Sequence, residues 1–226
     1  MIAIVDYGAG NIRSVLNALK RSLDSARDDS VVLTSDKDLL RKASHVILPG
    51  VGEASTAMQA LRDADLADFI PTLTRPVLGI CVGAQLMCAG SEEGGTRCMG
   101  IFPAEVRRFK ETPTEKVPHM GWNSLWEPEE FAAAQHLPSL LLRRANLSGV
   151  VAKGFSSPLL AGLKQGDYVY FVHSYYPEVC ANTIAVANHG IDFSAALCKD
   201  NFFACQFHPE KSGTAGEQIL KNFLSL

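Results

Sequence analysis

Cys81 lies in the pentapeptide Gly79-Ile-Cys81-Val-Gly83, between an apolar run, Pro76 to Ile80, and a helical stretch, Ala84 to Ala89. A residue at the turn from a buried strand into a helix is forced to project from the sheet edge. Glycines two positions to either side let strand and helix close up behind it, which is the cysteine version of a nucleophile elbow. The helix N-terminus adds a dipole that favours negative charge on the sulfur. The pentapeptide alone reads equally well as a buried cysteine between packing glycines. The balance shifts with Phe202 to Glu210, a strand-like run ending in His208-Pro-Glu210. Side chains two apart on an extended chain project to the same side. His208 can therefore face Cys81 while Glu210 supports its far ring nitrogen, the arrangement that activates a thiol nucleophile.

Five other histidines compete for the role of base. His45 lies inside an apolar strand, His136 in a stretch of uncertain structure, and His189 before a glycine in a turn. His119 and His173 have more pointed surroundings but no acid following them. Acyl transfer also needs two donors aimed at the developing oxyanion. One is the N–H of Val82, just after the nucleophile. The other is expected from the loop Pro49-Gly50-Val51-Gly52, where glycine lets a peptide plane turn over without a steric penalty. An ordinary Pro-Gly turn remains the bland alternative. Gly8-Ala-Gly10-Asn-Ile-Arg13 half-matches a dinucleotide fingerprint. Arginine replaces its third glycine and would crowd the helix–strand approach, so a bound dinucleotide is not expected.

The elements that must position these residues emerge from periodicity. Ile2 to Val5 is apolar throughout, as a strand buried on both faces should be. Ile12, Val15, Leu16, Leu19 and Leu23 recur at helical spacing. Val31 to Leu33 and His45 to Leu48 read as strands, with Asp36 to Lys42 helical between them. Ala54 to Leu61 and Asp65 to Thr72 read as helical pieces before the strand that runs into Cys81. This alternation predicts an α/β fold, a doubly wound, mostly parallel central sheet with helices on both faces. The second half is richer in strands: Ala104 to Phe109, Tyr168 to Val172, Thr183 to Ala187, Ala195 to Lys199 and Phe202 to Phe207. A last helix carries Ile219, Leu220, Phe223 and Leu224. Glu127 to Phe155 is the hardest stretch to place, and a single domain over 1–226 is expected.

The 226 residues carry a net charge of −3, which gives no electrostatic reason to expect nucleic acid or an anionic membrane. No apolar run approaches the ~20 residues that span a bilayer. The N-terminus meets Asp6 early and lacks a basic leader, so it does not read as a signal peptide. The six cysteines form no C-x-x-C pair and suit a reducing cytoplasm, with no metal site implied.

Together these residues resemble the class I (triad-type) glutamine amidotransferases, and most closely the glutaminase subunits of imidazole glycerol phosphate synthases. The segments that carry the resemblance are Asp6 to Ile12, Pro49 to Gly52, Gly79 to Gln85, Pro118-His-Met-Gly-Trp-Asn123, Phe171-Val-His-Ser-Tyr-Tyr176 and Gln206 to Lys211. They span nearly the whole chain in the family's order. The resemblance implies Cys81 as nucleophile, His208 as acid–base and Glu210 as its orienter, with no cofactor. It implies that Gly52, Gln85 and the backbone near Ser174 and Tyr175 hold glutamine. It places Asn11, Trp122 and Lys211 toward a separate (β/α)₈-barrel cyclase, which receives the ammonia and completes a step of histidine biosynthesis. One departure is expected: Ser124 to Tyr170 is a longer connection than the family's usual one, with the excess around Glu127 to Phe155. A stand-alone cysteine hydrolase, a glutaminase serving another synthase and a silent regulatory subunit are the rival readings. The complete Cys/His/Glu set argues against the last.

Overall fold

The computed structural model describes residues 1–8, 12–23, 30–129 and 154–226. Asn11, His136 and most of the stretch 127–155 lie outside the described residues. In chain order the strands are β1 (Ile2–Val5), β2 (Val31–Thr34), β3 (His45–Gly50), β4 (Val77–Cys81), β5 (Gly90–Ser91), β6 (Thr96–Arg97), β7 (Glu105–Arg108), β8 (His119–Ser124), β9 (Tyr168–His173), β10 (Tyr175–Pro177), β11 (Thr183–Asn188), β12 (Asp192–Lys199) and β13 (Phe202–Cys205). The helices are α1 (Ile12–Ser22), α2 (Lys37–Lys42), α3 (Ala54–Asp63), α4 (Val82–Leu86) and α5 (Gly213–Phe223).

The central sheet has the order β11-β12-β13-β4-β3-β1-β2. Its five strands β2, β1, β3, β4 and β13 run parallel, and β12 and β11 extend it antiparallel. Apart from the edge strand β2, where Leu33 is 48% exposed, the parallel strands are buried on both faces: Ile2, Ile4, Val46, Ile47, Leu48, Val77, Leu78 and Ile80 are at most 2% exposed. Each such side chain contributes about 1.5–3 kcal/mol of burial, which is why these runs read as continuous rather than alternating. Helix α1 packs against α5, and α3 against α4.

One arrangement of the sheet matters most for chemistry. Strands β3, β4 and β13 are immediate neighbours and all parallel, so their carboxyl ends emerge at one edge. Those ends are Gly50, Cys81 and the segment leading to His208. A small second sheet has the order β10-β7-β5-β6, and β8 and β9 form an antiparallel pair.

Asp65 to Thr72 departs from the helical expectation. Asp65 adopts a left-handed φ of 57°, and Pro71 lies in a single 3₁₀ turn, Ile70–Thr72, that replaces a longer helix. The helix after Cys81 begins at once, at Val82, and ends at Leu86 instead of running to Ala89. Strand β13 stops at Cys205, short of the expected Phe207.

Candidate active site

Cys81 ends β4 with φ 53° and ψ −113°, a backbone conformation that a residue with a side chain adopts only when its surroundings force it. The close packing that forces it depends on the flanking glycines. A Cβ on Gly83 would lie 2.0 Å from the carbonyl oxygen of Leu48, and one on Gly79 would lie 2.7 Å from Met87 Sδ. Helix α4 can therefore press onto β3 and β4 only where those side chains are missing. Val82 is the first residue of α4, so its N–H has no partner within the helix. Gly50 pairs directly with Cys81 across the β3–β4 ladder. A Cβ on Gly50 would meet Gly83 N at 2.2 Å, so this loop closes on the elbow only with glycine there. The buried Tyr7 hydroxyl donates to the Pro49 carbonyl at 2.7 Å and fixes the peptide just before Gly50.

His208 approaches from the neighbouring strand. Its backbone N–H donates to Tyr170 O at 2.9 Å, and its carbonyl accepts from Ser212 Oγ at 2.7 Å and Lys211 N at 3.0 Å. Its Nδ1 meets Glu210 Oε1 at 2.8 Å, with both side chains almost wholly buried. The two groups come together through a 3₁₀ turn at Pro209–Lys211, not through strand alternation as the sequence suggested. Gly216 permits that turn to seat on α5, since a Cβ there would fall 1.9 Å from Pro209 O. Burial disfavours the charged imidazole, but the neighbouring Cys81 sulfur and Glu210, through hydrogen bonding and charge, outweigh it and raise the pKa to about 9. The buried Nε2 faces Cys81 without reaching the alignment of a full hydrogen bond.

A cleft of about 340 Å³ opens beside these groups, lined by Val51, Gly52, Cys81, Val82, Gln85, Glu93, Pro118, Val172, His173, Ser174, Tyr175, His208 and Lys211. Apart from Asn11 and Trp122, the residues singled out in the sequence thus gather here, with Gly50 and Glu210 in the layer behind the cleft. Gln85 is buried, and its amide N–H groups go to Tyr175 O and Gln206 Oε1, both at 2.9 Å. Gln206 Nε2 lies 3.9 Å from Cys81 Sγ. Ser174 O accepts from Phe109 N at 3.0 Å, so the carbonyls of this wall are engaged within the protein. Trp122 is 55% exposed and lines a separate depression with Tyr168 and the start of α5. Lys211 reaches over the Tyr170 ring at 5.8 Å.

Glu93 belongs to the site although no motif in the sequence marks it. Its Oε2 accepts the Ala54 N–H at 2.7 Å, capping α3 where the side chain of the N-cap residue Glu53 makes no capping bond. Burial and the nearby Glu53 raise its pKa, against the backbone bond to Ala54. It and Lys211 bring one charge of each sign to the cleft, which suits a zwitterionic amino acid. Two of the other histidines serve elsewhere. His45 Nδ1 lies against Ser44 Oγ at 3.2 Å, and His189 bridges Lys116 O and Glu115. Among the described residues no group of three or more His, Cys, Asp or Glu could hold a metal ion, and no helix is long and apolar enough to cross a membrane.

The family model for class-I glutamine amidotransferases matches residues 3–226. A Bacteroides fragilis protein named imidazole glycerol phosphate synthase subunit HisH is 47% identical over all of this chain and 99% of its own length. A protein of the same name from Shewanella sediminis is 39% identical over 99% of this chain and 89% of its own. The Bacteroides relative is nearly equal in length to this chain, so the long connection around 127–155 is no excess over it. A solved glutamine amidotransferase superposes with a TM-score of 0.66 at 16% identity, covering 100% of this chain and 98% of that one, which supports the fold. The chain belongs to the class-I glutamine amidotransferases and, within them, to the family of imidazole glycerol phosphate synthase HisH subunits.

Proposed function

We propose that the chain, as a single amidotransferase domain over 1–226, hydrolyses glutamine and passes the ammonia to a (β/α)₈-barrel cyclase subunit of imidazole glycerol phosphate synthase. The observation that carries this reading is the convergence of Gly50, Cys81 and His208 from three adjacent parallel strands, with His208 Nδ1 on Glu210 at 2.8 Å. Cys81 Sγ attacks the side-chain amide carbon of glutamine. The oxyanion that forms is met by the Val82 N–H and by an N–H of the Gly50–Val51 loop. His208 protonates the departing nitrogen, ammonia leaves, and a glutamyl thioester remains. The imidazole then takes a proton from water, which attacks the thioester, and glutamate departs as the thiol is restored. Glu210 keeps the ring oriented and supports its charge.

Gly52, Gln85 and the Ser174–Tyr175 backbone shape the glutamine cleft, with Glu93 facing the α-ammonium. The resemblance assigns Asn11, Trp122 and Lys211 to the cyclase interface, Lys211 from the rim of the cleft. In the cyclase, ammonia reacts with the phosphoribulosyl-formimino aminoimidazole carboxamide ribonucleotide to give imidazole glycerol phosphate and an aminoimidazole carboxamide ribonucleotide. The cytoplasm is the compartment proposed. The test is a paired assay of Cys81→Ala in the complex. Glutamine-dependent synthesis should vanish while synthesis from added ammonium salt persists, and retained glutamine turnover would refute the mechanism.

A further inference from the structure

From His173 in the cleft lining, the antiparallel pair β8–β9 carries a run of hydrogen bonds that the reaction above does not use. His119 and His173 stand directly opposite each other in the antiparallel register, both buried. His173 Nδ1 lies 2.8 Å from Tyr175 O, and His173 Nε2 lies 3.0 Å from His119 Nδ1. His119 Nε2 lies 3.3 Å from Asn123 Nδ2. One end of this run is a carbonyl oxygen, which can only accept, so His173 must carry its proton on Nδ1. Its Nε2 is then an acceptor and obliges His119 to carry its own proton on Nδ1 as well. His119 Nε2 accepts in turn, and Asn123 supplies an N–H, so the proton order is fixed from end to end.

Burial, chiefly, keeps both rings neutral: it pushes His173 down to about 3 and His119 down to about 4, with neighbouring histidines adding to each. Two neutral rings can hold this order across the whole working pH range. The order ends at a functional wall. Phe109 N donates to Ser174 O, which puts Tyr175 at the next position of the β7–β10 ladder, where N–H and C=O both turn away from β7. His173 and Gln85 then hold the Tyr175 carbonyl from two sides.

We propose that His173 and His119 are positioning residues for glutamine hydrolysis, forming a one-directional hydrogen-bond chain that fixes the Tyr175 peptide in the wall of the glutamine cleft. The proposal rests on the glutaminase reading. The chain acts on binding geometry and not on proton transfer, so its loss falls on the Michaelis constant. His173→Phe in the complex should raise KM for glutamine about tenfold, the loss of one orienting hydrogen bond, with little change in kcat. His173→Asn keeps a donor near the Nδ1 position and should recover most of that loss, while the pH dependence of kcat stays that of the wild-type protein.

The experiment pairs this kinetic split with nitrogen-15 spectra of the histidine rings in the wild-type full chain, which need no substitution. Both rings should be protonated on Nδ1 and should not titrate between about pH 5 and 8. An Nε2 proton on either ring, titration within that range, or an unchanged KM in a folded His173→Phe overturns the positioning chain and leaves the glutaminase reading standing. A wild-type complex that does not hydrolyse glutamine overturns both.

Discussion

His208 is pulled two ways, and the outcome sets how the protein responds to pH. Burial alone would keep its ring neutral, yet Cys81 and Glu210 raise its pKa from 6.5 to about 9. A raised value in the fold means stabilisation that is fully present below the unfolded value and is lost as pH rises through about 9. The same limit applies to the reactive pair, because deprotonating the imidazolium removes the acid that expels ammonia. The alkaline limb of kcat/KM for glutamine should therefore fall near pH 9. Glu210→Gln keeps a hydrogen-bonding partner but removes the charge, so the limb should move to lower pH while turnover drops less than in His208→Ala. An unmoved limb would mean that Glu210 does not support the charged ring. His208→Ala should cost several orders of magnitude in glutamine turnover, since members of such a set act as a unit. His136→Ala should leave turnover nearly intact, and equal damage from the two would undo the assignment of the base.

At the scale of elements, the glycines explain why three strand ends can meet. A Cβ on Gly83 would strike the Leu48 backbone at 2.0 Å and 2.9 Å, and neither atom can move without shifting β3. Gly83→Ala should cost about 1–3 kcal/mol of stability, or roughly 2–4 °C of melting temperature per kcal/mol. It should also depress turnover, because β3 carries Gly50. Gly100→Ala is the useful contrast: open space surrounds it, so only its left-handed φ of 70° is strained and turnover should survive. The parallel strands were legible in the sequence because burial on both faces leaves an uninterrupted apolar run. Strand β8 was not, and its pattern shows why. Its exposed positions are Met120 and Trp122 and its inward ones include His119 and Asn123, so the hydrophobic alternation is inverted. Cys81, His208 and Glu210 could be paired from motif chemistry alone. Glu93 and the His119–His173 contact depend on folding across dozens of residues and left no local signal. The long connection also has readable ends. Trp126 pairs with Val186, and the Ser156 N–H donates to the Glu127 carboxylate, so the chain leaves and returns at one place. Replacing residues 130–153 with a short linker should preserve a cooperative thermal transition, and its loss would show that the stretch belongs to the core.

For the molecule as a whole, the question is what keeps a glutaminase from running when no acceptor is ready. The loop after β3 has the right build for a gate. The Pro49 carbonyl is held by Tyr7 at 2.7 Å, whereas Val51 is exposed and Gly52 sits at φ 85° with open space around it. The Gly50–Val51 peptide stands directly opposite Cys81 in the ladder, so its rotation would change which group faces the sulfur. With its carbonyl toward the sulfur the oxyanion hole keeps one donor, and with its N–H there it has two. Loss of one such donor costs about 2.7–4 kcal/mol, or roughly 10²–10³ in rate. A partner that binds the two-donor state more tightly shifts the loop toward it, and only that differential affinity can do so. Docking of the proposed cyclase, and nucleotide binding within it, should therefore accelerate hydrolysis by at least that order. The gain should appear in turnover number more than in glutamine affinity, because the donor acts on charge that develops in the transition state. Steady-state glutaminase assays of the isolated chain, of the complex, and of the complex with the cyclase's nucleotide decide the matter. A stepwise rise in kcat at near-constant KM supports the gate, while equal turnover numbers in all three would remove it and favour a stand-alone hydrolase.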